Sequence, residues 1–195
     1  MAERWPGLSA TLSGAHVRLE PLEARHEAGL RAAADDPRVW TWTWPALDWG
    51  TYFAQALEGP EVAFATIDAS TGREIGSTRY GSLRPEHRGL EIGWTWLAPA
   101  AWRTGANVEA KLLMLAHAFD DMDCLRVEFK THASNERSRG ALAALPAHFE
   151  GVFRKHMEIP GLGVRDSAYY SIVDDDWPAV RANLERRLEV AHAQA

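Results

Sequence analysis

The sequence predicts an α/β chain with a mixed, mostly antiparallel central sheet and helices on both of its faces. Three observations carry that reading. Segments of period two alternate along the chain with segments of period 3.6, the pattern of a sheet covered by helices. At 46% hydrophobic over 195 residues, the chain has the apolar material for a substantial core. The stretch 90–121, LEIGWTWLAPAAWRTGANVEAKLLMLAHAFDD, changes period within itself, from strand to helix across a small-residue loop.

In chain order, His16–Leu22 alternates and reads as a strand. Alanine-rich Glu23–Asp35, with Ala24, Ala28 and Ala32 on one side, reads as a helix stopped before Asp36-Pro37. Val39–Pro45 is an aromatic-rich connection. Asp48 is placed to cap a helix through Tyr52, Phe53, Ala56 and Leu57 that closes at Gly59-Pro60. Val62–Ile67 and Ile75–Leu83 read as strands around a turn at Asp68–Gly72, followed by a polar hairpin loop at Arg84–Gly89.

In the central stretch Leu90, Ile92, Trp94 and Trp96 alternate with Glu91, Gly93 and Thr95, which assigns the four apolar side chains to one face. Pro99 ends the strand. Leu112, Leu115, Ala116 and Phe119 fall at i, i+3, i+4 and i+7, one helical stripe, in a helix ending near Met122. Leu125, Val127, Phe129 and Thr131 alternate with Arg126, Glu128, Lys130 and His132 as a half-buried strand. Ser134 or Asn135 can cap a short helix through Leu145. Phe149–Met157 and Ala168–Val173 read as a hairpin about Pro160-Gly161-Leu162-Gly163. Trp177-Pro178 opens a last helix through Val180, Leu184 and Leu188, with Pro178 at its first position, and His192–Ala195 is expected to fray. Neither a repeat nor a linker interrupts the chain, so residues 1–195 are expected to form a single domain with a C-terminal helix.

The composition removes several function classes. A net charge of −6 argues against a broad electrostatic grip on nucleic acid. The single cysteine, Cys124, excludes an internal disulfide and a multi-cysteine zinc site. The eight histidines show neither HxH nor HExxH spacing, so no metal is expected. Asp174, Asp175 and Asp176 read as the charged start of the last helix. MAERWPGLSATLSG lacks the pattern of a signal peptide, and no apolar run approaches the ~18–20 residues that span a bilayer. A cytoplasmic protein without membrane or nucleic-acid partners is the expectation; a homodimer is compatible with the sequence.

Chemistry concentrates in the loop Trp102-Arg103-Thr104-Gly105-Ala106-Asn107, which feeds a helix N-terminus. Unpaired backbone N–H groups and the positive end of the helix dipole suit a phosphate there. The loop matches neither GxxxxGK[ST] nor GxGxxG. Two readings of the residues stand side by side: a backbone cradle for a pyrophosphate, or an ordinary loop entering a core helix.

Several separated motifs, in order, resemble the GCN5-related N-acetyltransferase superfamily, and within it the branch of the ribosomal-protein N-terminal acetyltransferases (RimJ/RimL-type). They are Glu91-Ile92-Gly93-Trp94, Leu97-Ala98-Pro99, Trp102 to Asn107, Glu109-Ala110-Lys111, Asn135-Glu136-Arg137-Ser138 and Glu150-Gly151-Val152-Phe153-Arg154-Lys155-His156. The resemblance implies an acetyl-CoA-dependent N-acetyltransferase with a splayed strand pair that admits the acyl-CoA. It implies that Trp102, Arg103, Thr104, Gly105, Ala106 and Asn107 hold the pyrophosphate, that Trp96 and Leu97 lie beside the pantetheine, and that Asn135 and Ser138 contact it. Trp102 and Asn107 depart from the family's usual Gln/Arg and Gly/Ala. Leu142 stands where many members carry a tyrosine acid, which leaves Ser138 as the hydrogen-bond donor toward the thioester sulfur. Glu91 aligns with the catalytic glutamate of histone-type members and is the first candidate base; His87 is the second, with an acceptor-side position. Trp40, Trp42 and Trp44 alternate and, if extended, place three indoles on one side of the acceptor pocket, or pack onto the sheet. The acceptor implied is a primary amine, a protein N-terminus or a small molecule. A non-catalytic acyl-CoA-binding module of the same fold is the other reading.

Overall fold

A computed structural model describes residues 5, 7–42, 48–159, 161 and 163–192. Trp44, Pro160, Leu162 and residues 193–195, on which the third indole, the hairpin turn and the frayed end partly rest, lie outside the described residues.

Eight strands form one sheet: β1 (Leu12–Ser13), β2 (Val17–Pro21), β3 (Val62–Asp68), β4 (Glu74–Arg84), β5 (Gly89–Leu97), β6 (Arg126–His132), β7 (His148–Ile159) and β8 (Gly163–Val173). Their spatial order is β1-β2-β3-β4-β5-β6-β8-β7, and among the described residues only the β5–β6 pair is parallel. Among the described residues five α-helices accompany them: α1 (Glu27–Ala33), α2 (Trp49–Glu58), α3 (Ala106–Ala116), α4 (Glu136–Ala144) and α5 (Trp177–His192). No described helix is long and apolar enough to cross a membrane.

Local chemistry sets the boundaries. Asp48 caps α2 by accepting from the Thr51 N–H at 3.0 Å, and Asn135 caps α4 by accepting from the Ser138 N–H at 3.1 Å. Asp68 collects the Ser70 and Thr71 groups to close the β3–β4 turn. Beyond α3 the helix widens to a π-turn over His117–Asp121 before Met122 ends it.

Two apolar clusters lie on opposite faces. The larger packs Leu90, Ile92, Val127 and Phe129 against Ala110, Met114 and Leu115 of α3, Leu142 of α4, and Val180 and Leu184 of α5. The smaller joins Leu30 of α1, and Tyr52 and Phe53 of α2, to Ala65, Ile67 and Trp96. Each fully buried Leu, Ile or Phe contributes about 1.5–3 kcal/mol of transfer free energy.

Two sequence expectations are corrected. Leu90, Ile92, Trp94 and Trp96 do not share a face. Trp94 has φ +53°, and the β4–β5 register shifts between Ser77↔Trp96 and Arg79↔Gly93. This bulge inserts one residue and reverses the parity, so Leu90 and Ile92 enter the larger cluster while Trp94 and Trp96 join the smaller one. The buried stripe of α3 is also rotated: Glu109, Ala110, Lys111, Met114 and Leu115 are buried, whereas Leu112 and Ala116 are half-buried. Charged groups occupy buried positions there because each finds a partner across the fold.

Candidate active site

The site begins where the sheet opens. β5 and β6 pair over three positions only: Gly89↔Arg126, Leu90↔Val127 and Glu91↔Glu128. β5 then runs on to Leu97 and β6 to His132 without pairing. The Trp94 bulge in the β4–β5 ladder lies three residues beyond Glu91, the last residue of β5 to pair with β6. A wedge is left between two strands whose facing backbone groups have no partner in each other.

The phosphate-type loop stands at the wide end of the wedge. Arg103 and Gly105 both have left-handed backbone, φ +65° and +88°, around Thr104. Backbone of alternating hand can turn successive N–H groups to one side; here the loop leads into the N-terminus of α3, and the Ala106 N–H reaches Thr104 Oγ1 at 3.4 Å. Thr104 Oγ1 donates to the Ala101 carbonyl at 2.9 Å and fixes the loop. Trp102 Nε1 donates to the Leu97 carbonyl at 2.8 Å and ties the loop to the end of β5. Two guanidiniums flank the Trp102 ring, Arg137 at 4.4 Å and Arg38 at 5.6 Å from its centroid. Sequence reading did not single out either arginine. Their meeting on one indole joins a turn at residue 38 to helix α4, a juxtaposition no local pattern encodes.

Glu91 sits at the fork with its side chain largely buried, on the face opposite Leu90 and Ile92. Its Oε2 lies 3.1 Å from Lys130 Nζ and accepts from Ser82 Oγ at 3.1 Å. On the same face Glu128 pairs with Arg84 and Arg126, and Arg126 forks onto Glu150. Thus α1 and α2 cover the face around β3 and β5, while β6, β8 and β7 present a polar surface beside the wedge.

The remaining sequence candidates divide. Asn135 and Ser138 begin α4, with Asn135 buried and Ser138 half-buried. Trp96 packs into the smaller core, its Nε1 donating to Tyr52 Oη at 2.7 Å, and Leu97 is buried on the other side. Of the three indoles, Trp40 and Trp42 lie among the described residues. Pro37–Trp40 is a 3-10 turn, which separates the first two rings. Trp40 packs on Tyr52 and Trp96, and its Nε1 donates to the Ala34 carbonyl. Trp42 instead meets His132, at the end of β6, with ring centroids 5.1 Å apart, so it leans over the mouth of the wedge. His87 is 74% exposed in the β4–β5 hairpin, at the Gly89 end of β5 and a strand length away from Trp96 and Leu97. Among the described residues no three His, Cys, Asp or Glu side chains are grouped to hold a metal.

A family description, "Acetyltransferase (GNAT) domain", matches residues 16–147, which takes in the fork and the loop and ends just before β7. The chain belongs to the GNAT acetyltransferase family. Two solved structures agree across nearly the whole chain. A GCN5-related N-acetyltransferase from Brucella melitensis is 31% identical, with TM-score 0.85, covering 91% of this chain and 85% of that one. A protein from T. thermophilus classed as an acetyltransferase is 36% identical, with TM-score 0.83, covering 91% and 96%. Mycobacterium smegmatis RimJ, in complex with CoA-disulfide, shares the GNAT fold at TM-score 0.78 and 21% identity, covering 93% and 96%. No curated protein matches the sequence.

Proposed function

We propose that this GNAT protein binds acetyl-CoA in the β5–β6 wedge and transfers its acetyl group to a primary amine. The observation that carries the proposal is the early end of β5–β6 pairing at Glu91↔Glu128, beside a loop with two left-handed residues at a helix N-terminus. An unpaired strand edge can hydrogen-bond an amide-containing arm as an added strand, and N–H groups turned to one side by such a loop would suit a pyrophosphate. The residues present fit the group: Trp102 to Asn107 would hold the phosphates, with Arg38 and Arg137 adding charge, and Trp96, Leu97 and Asn135 would line the arm. The bound co-substrate supplies an activated acyl thioester; the protein supplies orientation.

Ser138, one turn into α4, is proposed as the hydrogen-bond donor toward the thioester sulfur. An ordinary thiol has a pKa near ~8.5, so its thiolate is a competent leaving group with that assistance alone. Glu91 is proposed as the carboxylate that draws the acceptor's ammonium to the fork. Trp42 would wall the acceptor entrance beside His132.

A protein or peptide N-terminal α-amine is the acceptor we favour. With a pKa of ~8 about a tenth of it is neutral at pH 7, far more than of a lysine side chain at ~10.4. The polar, helix-free face across β6, β8 and β7 gives a peptide room to approach.

Titration calorimetry with acetyl-CoA, together with thiol release over triglycine, an Nα-blocked lysine peptide and spermidine, tests the assignment. Saturable binding with fastest release on triglycine is expected. Binding without turnover on any amine would favour a non-catalytic acyl-CoA module, and preference for spermidine would favour a small-molecule acceptor.

A further inference from the structure

The strand β7 carries a bulge that no part of the proposed function uses. Phe153 pairs with Ser167 and Met157 with Arg165, so Arg154, Lys155 and His156 together oppose the single residue Asp166. Lys155 adopts φ +50°, and its N–H donates to Asp166 Oδ1 at 2.6 Å, which pins the bulge. The result is that His156 turns over the polar face of the sheet. Its Nδ1 lies 3.0 Å from Ser167 Oγ, and its Nε2 lies 3.3 Å from Tyr169 Oη. The ring is walled by Phe153 and Tyr169, which stack on each other at 4.4 Å.

Those partners are one strand away from the fork. Ser167 pairs with His132, whose ring meets Trp42 at the entrance, and Tyr169 pairs with Lys130, whose ammonium holds Glu91. Adjacent strands lie about 4.8 Å apart, and His156, from β7, leans over β8 onto the two residues that pair with His132 and Lys130 of β6. The sequence assigns it no role because a bulge decides its direction and a bulge leaves no periodic signal.

We propose that His156 Nε2 is the proton acceptor for the acceptor amine. The inference rests on the acetyltransferase reading and adds a residue to it.

The proposed role requires one tautomer of His156, with Nε2 free to accept. Burial, and then the charges of Glu91 and Glu128, raise the Tyr169 hydroxyl, so it stays protonated; in the proposed arrangement it is the donor to Nε2. Nδ1 is then the N–H, donating to Ser167 Oγ. The Nε2 bond is long, so an incoming ammonium can displace it. The groups facing the ring are Lys130 on β6, Arg165 and Tyr169 on β8, and Glu91 on β5. Burial first, then Lys130 and Arg165, hold the imidazole below its ordinary pKa, against Glu91. It is therefore neutral, and able to accept a proton, at neutral pH. Glu91, already engaged by Lys130 and Ser82, acts through space to steady the imidazolium that forms.

In the reaction an N–H bond of the ammonium breaks and Nε2–H forms. The freed nitrogen lone pair attacks the thioester carbonyl carbon; a C–N bond forms and the C–S bond breaks, with its electron pair leaving on sulfur. The nitrogen's surplus proton ends on that sulfur. One amide, one thiol and one proton result, the last on His156 and returned to water.

A pH profile with acetyl-CoA and triglycine tests it. A base that works on the ammonium form gives wild-type kcat/KM a plateau from below pH 6.5 to about 8. In His156→Gln, reaction requires the neutral amine, and log kcat/KM should climb with unit slope to about pH 8. The loss should be about 30-fold at pH 6.5 and within about threefold at pH 9. Unchanged acetyl-CoA affinity in the variant would show that the fold is intact. Equal losses at both pH values would overturn the proposal. If triglycine is not acetylated at all, that failure belongs to the acetyltransferase reading. Imidazole ¹H–¹⁵N spectra then decide: His156 should carry its proton on Nδ1 and titrate below 6.5, and lower still in Glu91→Gln. A protonated Nε2 in the neutral ring, or titration above 6.5, would overturn it.

Discussion

Gly105, in the loop proposed to hold the pyrophosphate, has a φ of +88° at the N-cap of α3. A β-branched side chain at that dihedral costs about 1–3 kcal/mol, and relaxing the strain would turn the loop's N–H groups away from their common focus. Gly105→Val is therefore expected to weaken acetyl-CoA binding by at least about 30-fold in titration calorimetry, with Gly105→Ala intermediate. A melting curve recorded alongside separates loop distortion from unfolding. Undiminished affinity in a folded Gly105→Val would remove the loop from the phosphate site. The loop itself was legible in the sequence, because glycine, threonine and asparagine before a helical stripe are local signals. Arg38 and Arg137 were not, since an arginine's address depends on which distant ring it meets.

Elements were legible where a period ran unbroken. β6 alternates as its sequence suggests, and Asp48 and Asn135 cap the helices they precede. Periodicity failed at the Trp94 and Lys155 bulges, where a residue other than glycine takes left-handed backbone: one inserted residue reverses the parity beyond Trp94, and two at Lys155 redirect the residues inside the bulge while the parity beyond it is kept. It failed again on α3. Glu109 looks like a solvent residue, yet its carboxylate accepts the N–H groups of Ala15, His16 and Val17 at 2.8, 2.6 and 2.7 Å. A Cβ on Gly14 would fall 2.3 Å from that carboxylate, so glycine is required for the close approach. The arrangement ties α3, the helix that follows the loop Trp102 to Asn107, to the β1–β2 turn. Replacing Glu109 with Ala strands three donors at a largely buried site, which should cost about 2–4 kcal/mol in urea-induced unfolding. Glu109→Gln should recover only part of it, since its NH₂ group faces donors. A loss below about 0.5 kcal/mol would mean that water replaces the carboxylate and α3 is positioned by its apolar contacts alone.

At the scale of the whole molecule, the two faces of the sheet place their charges differently. On the face beside the wedge, charges are paired: Glu91 with Lys130, and Glu128 with Arg84 and Arg126. On the face covered by α3, α4 and α5, Lys111 is buried with hydroxyls as partners, Thr95 Oγ1 at 2.7 Å and Thr78 Oγ1 at 3.5 Å. Burial alone lowers it from 10.5 to about 7. The sign for stability follows from proton counts. Between about pH 7 and 10.5 the unfolded chain holds a proton on Lys111 that the folded chain has given up. Raising the pH through that window therefore favours the folded state, and lowering it toward 7 withdraws the gain. Lys111→Met keeps the length of the side chain and removes the titration. Unfolding free energies of both proteins in urea at pH 7, 8, 9 and 10 isolate the residue, because every other titrating group is common to the pair. Wild type minus variant should rise with pH, on the order of 1 kcal/mol per pH unit inside the window. At pH 7 Lys111→Met should be the more stable of the two, since a methionine needs no desolvation of an amine. Parallel curves would show that Lys111 keeps its proton in the folded state, and that the hydroxyls of Thr78 and Thr95 are sufficient company for a buried ammonium.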